Sequence, residues 1–137
     1  MVQKHTPTLY QRSVMVVTLL IALWIGLLAL NAPEQLLEAM QMASTGPAGL
    51  NETRGQYGGF FLALAVFLGL GIAGQLRPAA VFMVLLVLYG GVFSGRVIHL
   101  ALGNFSDFSD YPMAMKAIHF VDFAGFIASG IGLRRSQ

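Results

Sequence analysis

The 137-residue sequence contains no cysteine and few charged residues. The lack of cysteine excludes disulfides, thiolate nucleophiles and Cys-ligated metals, and leaves the redox compartment open. Charged residues make up only 10% of the chain, against about 25% in soluble domains. A basic patch is also missing. The eight Lys and Arg residues are scattered, so the net charge of +2 describes no nucleic-acid surface. There is no HExxH pair and no carboxylate cluster, which leaves metal-dependent hydrolysis without ligands. What the chain does have is apolar mass: 56% of residues are hydrophobic and the mean hydropathy is +0.71. That balance argues against a water-soluble globule.

A hydrocarbon core about 30 Å thick demands apolar helices of about 17 to 25 residues. Four runs meet the demand, at residues 14–30, 57–74, 79–102 and 113–133. The chain therefore reads as all-α: a single integral membrane domain over residues 1–137, built as a four-helix bundle. The first run is 17 residues long, longer than the apolar region of about 7 to 15 residues in a cleaved signal, and is read as a retained span. Residues 33–42 change character. Leu36, Leu37 and Met40 fall on one face opposite Glu34, Gln35, Glu38 and Gln41, with Asn31 as cap and Pro33 in the first turn. This predicts a short amphipathic helix on the membrane surface. Residues 43–50 read as a loop, Asn51 as the cap of the second span, 75–78 as a turn and 103–112 as a polar loop.

Orientation follows from the positive charges, which accumulate on the cytoplasmic side of short loops. Four spans put Lys4, Arg12, Arg77, Arg134 and Arg135 on one side and leave only Arg54 on the other, with Glu34, Glu38, Glu52, Asp107 and Asp110. Both termini are expected in the cytoplasm.

An ionisable residue at the centre of a spanning helix costs on the order of 2.5 to 3.5 kcal/mol on insertion scales, so each needs a partner or a polar cavity. Arg96 and His99 share one face of the third span, and Lys116, His119 and Asp122 share one face of the fourth. Glu52, Arg54 and Tyr57 enter the second span from the same side, which gathers these groups in the outer third of the bundle. One reading is a packing network, with Asp122 paired to Arg96 or Lys116 and Glu52 to Arg54 or Lys116. Another is a pocket for a small anion, a lipid headgroup or a quinone-like ring, drawing on Arg54, Tyr57, Arg96, His99, Lys116, His119 and Asp122. A third makes His99 and His119 axial ligands of a haem, or magnesium ligands of a pigment. The pairs Gly55/Gly59, Gly91/Gly95 and Gly125/Ser129 have the four-residue spacing that lets spanning helices approach closely.

Asn51, Glu52, Arg54, Tyr57, Gly58 and Gly59 spell Asn-Glu-x-Arg-x-x-Tyr-Gly-Gly. With this motif opening the second span after a first span and a surface helix, the chain resembles the domain of unknown function 4345 family, small bacterial membrane proteins loosely similar to DoxX-like proteins. The resemblance implies a four-helix fold in the bacterial inner membrane and weight on those six positions as a structural motif. Lys116, His119 and Asp122 lie outside the pattern. The expectation is a non-enzymatic accessory or packing subunit, in contact with lipids and with other membrane subunits or copies of itself, and without nucleic acid or a required cofactor. The alternative is a bundle that binds a small ligand or a redox cofactor such as haem, quinone or pigment.

Overall fold

The computed structural model describes residues 5–43, 46–102 and 107–136, with only the backbone of Asp107. Lys4, residues 44–45 and the first part of the 103–112 loop lie outside the described residues. The fold is all-helical, with no strand among the described residues. Four helices are long and apolar enough to cross a membrane: Leu9–Asn31, Pro47–Ile72, Pro78–Leu102 and Met113–Arg134. The chain forms two compact units, Met1–Arg77 and Pro78–Gln137.

In the first unit, α1 (Leu9–Asn31) begins five residues before the apolar run because Thr8 builds a capping box. The Gln11 backbone N–H donates to the Thr8 hydroxyl, and the Thr8 N–H donates to the Gln11 side-chain oxygen at 2.9 Å. These bonds satisfy donors that a helix start leaves open. Asn31 does not cap α2 (Pro33–Ala39), as its sequence position suggested. It is the last residue of α1, and its amide donates to the Leu27 carbonyl, while Ala32 takes the cap position without a side-chain bond. α2 closes three residues short of the expected end at 42. The Met42 N–H reaches the Leu37 carbonyl, the Gln41 N–H reaches that of Glu38, and Gln41 turns left-handed at φ 54°.

A second correction concerns residues 43–50. α3 (Pro47–Thr53) already begins at Pro47, whose missing N–H costs nothing in a first turn. Asn51 is therefore inside the helix and caps nothing, and Glu52 is no longer in a first turn beside the positive end. α3 runs on through a π-helical segment, Arg54–Gly59, into α4 (Phe60–Ile72). α4 ends on Gly74 (φ 74°), with the Gln75 N–H bonded to the Leu70 carbonyl. The N-terminal arm docks on this turn, where the His5 N–H donates to the Gly74 carbonyl. A Cβ on Gly74 would stand 2.6 Å from the His5 carbonyl oxygen.

α1 and α4 meet along a small-residue stripe. Met15, Thr18, Ala22, Gly26 and Ala29 are all buried, and Gly26 lets Leu62 of α4 approach within van der Waals distance of its backbone. Gly58 does the same for Leu30.

The second unit holds α5 (Pro78–Leu102), α6 (Asp107–Asp110) and α7 (Met113–Arg134); α6 is a short turn of helix inside the stretch expected to be loop. α5 and α7 pack antiparallel. Gly132 abuts the Phe82 ring, Gly125 the Tyr89 ring and Gly90 the Phe126 ring, and Phe93 meets Phe123 at 5.3 Å between centroids. Continued one turn further, this register sets Arg96 opposite Asp122. The outward faces of the long helices stay apolar, with Trp24, Val66, Val87 and Phe120 exposed, which suits lipid as the solvent.

Candidate functional site

Arg96 lies six residues before the end of α5, and Asp122 nine residues into α7. Arg96 Nε stands 2.7 Å from Asp122 Oδ2, with side-chain exposures of 22% and 12%. The contact is an ion pair whose angle falls outside hydrogen-bond geometry. Of the two partners the sequence offered Asp122, the structure selects Arg96. Lys116 is engaged elsewhere. Its Nζ donates to the Ser109 carbonyl at 2.8 Å and lies 6.0 Å from the Phe108 ring centroid, tying α6 to the start of α7.

The carboxylate thus meets Arg96 at Nε, on the side of the guanidinium. Arg96 itself lines a cleft of about 340 Å³. Val92, Gly95, Arg96 and His99 line it from α5, Met115 and His119 from α7, and Tyr111 from the connection before α7. His119 Nδ1 lies 2.7 Å from the Met115 carbonyl oxygen. A carbonyl only accepts, so Nδ1 carries a proton, and in that neutral tautomer Nε2 is the acceptor. The imidazole is flanked by Phe108 at 5.6 Å and Tyr111 at 5.7 Å between centroids. Arg96, His99, His119 and Asp122 are thus gathered at one place in the second unit. Tyr111 was missed by sequence reasoning, since a tyrosine in a polar loop carries no signal of what it faces.

Arg54 and Tyr57 belong to the first unit. Arg54 Nε donates to the Leu30 carbonyl at 3.3 Å, one of the last carbonyls of α1 and otherwise open. Glu52 Oε2 accepts from the Gln56 amide at 3.1 Å, and Tyr57 stacks on Phe61 at 6.4 Å. A second cleft, of about 200 Å³, lies here. Leu37, Met42 and Ala43 form one wall, and Gly49, Glu52, Thr53, Gln56 and Tyr57 form the other. Of the six motif positions, Arg54 and Gly58 hold α1, whereas Glu52 and Tyr57 face this cleft. Among the described residues no group of three or more His, Cys, Asp or Glu side chains stands close enough to hold a metal ion.

The family model described as Domain of unknown function (DUF4345) matches residues 10–109, which takes in the motif, Arg96 and His99 and stops short of α7. No curated protein and no solved structure matches the chain.

Proposed function

The chain belongs to the domain of unknown function 4345 family, and we propose that it is a non-enzymatic, ligand-binding protein of the bacterial inner membrane with both termini cytoplasmic. The orientation rests on the one-sided placement of Arg12, Arg77, Arg134 and Arg135 under four spans. The reading of the site rests on one observation: Arg96, ion-paired with Asp122, lines a cleft together with His99, His119 and Tyr111.

The pair is neutral as a whole, and adding a net charge at this depth is expensive. That favours a neutral ligand over a free anion. The site offers donors on Arg96 and an acceptor at His119 Nε2, and its volume of about 340 Å³ is at the low end for small-molecule pockets, about 300 to 1,000 Å³. A carbonyl-bearing ring of quinone type fits this set. Its oxygen accepts from Arg96, and its plane has aromatic company in Tyr111. Titration of the detergent-purified protein with a short-chain naphthoquinone, read by native mass spectrometry, tests it. Binding that disappears in R96Q and H119Q supports the reading; dodecyl phosphate bound in preference to the quinone, or no quinone bound at all, overturns it.

A second reading, an accessory subunit, is favoured by Gly91 and Gly95. Both are exposed on α5, and a Cβ at either would meet nothing within 4 Å, which leaves room for the backbone of another spanning helix. Blue native electrophoresis of gently solubilised membranes tests this reading, and migration only as a free small protein counts against it.

A further inference from the structure

The second cleft stands apart from that reading and carries its own assignment. The π-helical segment draws its polar wall together. In a regular α-helix, Tyr57 would lie about 140° around the axis from Glu52. The bond from the Phe60 N–H to the Gly55 carbonyl, five residues back, marks a wider winding that returns position i+5 toward position i. Glu52, Gln56 and Tyr57 consequently line one cleft.

These three side chains leave acceptors open. Gln56 gives one of its two amide N–H groups to Glu52 Oε2, and Glu52 Oε1, Gln56 Oε1 and the Tyr57 hydroxyl have no other partner among the described residues. Among the described residues no basic side chain pairs with Glu52; Arg54 gives its Nε to Leu30 instead. An alkylammonium carries one positive charge and three N–H donors, which matches one uncompensated carboxylate and three acceptors. The opposite wall of Leu37, Met42 and Ala43 suits the carbons attached to that nitrogen. The cleft holds about 200 Å³, enough for a headgroup and too little for a cofactor. Depth agrees as well. Glu52 precedes Ile72, the end of α4, by 20 residues, which is about 30 Å of helix and the full thickness of the hydrocarbon core. We propose that this cleft seats the primary ammonium headgroup of a phospholipid, with Glu52 as counter-ion and Gln56 and Tyr57 as the remaining acceptors.

The test uses delipidated full-length protein in detergent, offered equal amounts of dioleoyl phosphatidylethanolamine, phosphatidylcholine and phosphatidylglycerol, with bound lipid counted by native mass spectrometry. Phosphatidylethanolamine is expected to be retained about tenfold over the other two, the scale of one charge-assisted hydrogen bond. The preference should vanish in E52Q, which keeps the shape of an exposed side chain, and persist in E38Q, on α2 outside the cleft. Free ethanolamine is added in a separate arm: full displacement of the lipid at an equal concentration assigns the ammonium site to a soluble amine, and failure to displace assigns it to the lipid. Retention of phosphatidylcholine equal to phosphatidylethanolamine, or a preference that survives E52Q, overturns the proposal.

Discussion

Arg54 Nε and the Leu30 carbonyl oxygen are joined at 3.3 Å across 24 residues of sequence. The bond ties the π-helical turn to the last turn of α1, where carbonyls lack partners within the helix. A residue that reads as a stray charge at the mouth of a span is therefore a cap for a different helix. It holds in place the winding on which the cleft of Glu52, Gln56 and Tyr57 depends.

Replacing Arg54 by Ala returns that carbonyl to solvent and frees α1 from the π-helical turn. The bond is exposed, so the expected loss is about 1 kcal/mol, read as a lowered midpoint in thermal unfolding of the detergent-solubilised protein. The same variant should weaken lipid retention by the first unit, because the turn relaxes. A midpoint unchanged from wild type would mean that the contact carries no stability.

Gly58 and Gly55 belong to the same motif segment and make opposite predictions. A Cβ on Gly58 would stand 2.6 Å from Leu30 Cδ2, whereas one on Gly55 meets nothing within 4 Å. G58A should therefore cost about 1 to 3 kcal/mol through overpacking, while G55A should be neutral or gain up to about 1 kcal/mol from helix propensity. Combining G58A with L30A should recover most of the loss, since neighbours that share a contact are not additive. Equal effects of G58A and G55A would show that the close approach to Leu30 is not what selects glycine.

How much of this was legible in the sequence depends on whether the cause was local. The four apolar helices were, because length and apolar content alone demand them. The start of α1 was misplaced although Thr8 and Gln11 carry the capping-box spacing, since the apolar run begins only at Val14. Asn51 was misread as a cap because Pro47, four residues earlier, is the stronger start signal. The π-helical winding was not legible in the residue pattern, and the bond from its Arg54 reaches Leu30, 24 residues away. The pairing of Asp122 with Arg96 over Lys116 was equally hidden. It follows from the register that Gly132, Gly125 and Gly90 impose on α5 and α7 through Phe82, Tyr89 and Phe126.

Gln41 offers a gain. It closes α2 at φ 54°, a left-handed conformation that costs a residue with a Cβ about 1 to 2 kcal/mol and costs glycine little. Q41G should raise the unfolding midpoint by roughly 1 kcal/mol, with some of the benefit lost to the larger entropy of a glycine in the unfolded chain. Because glycine keeps the same left-handed turn, Met42 and Ala43 stay in the wall of the first-unit cleft and lipid retention should be unaffected. A destabilised Q41G would indicate that the glutamine side chain does more than tolerate its backbone.

The Arg96–Asp122 pair separates stability from recognition. Either single change, R96Q or D122N, leaves one charge within the span without its counter-ion, the costly state for a poorly solvated group. The double variant removes both charges and should be milder than the sum of the two. The side chains are 22% and 12% exposed, and a coupling energy of about 1 to 3 kcal/mol is expected for a contacting pair. Unfolding in sodium dodecyl sulfate, followed by circular dichroism on all four proteins, measures it. A coupling below about 0.5 kcal/mol would show that the pair contributes nothing to packing. Binding should behave differently. The double variant, although milder in its stability cost than the two single changes summed, lacks the guanidinium that lines the cleft with His99 and His119 and should hold no quinone, whereas D122N keeps it and should retain weakened binding.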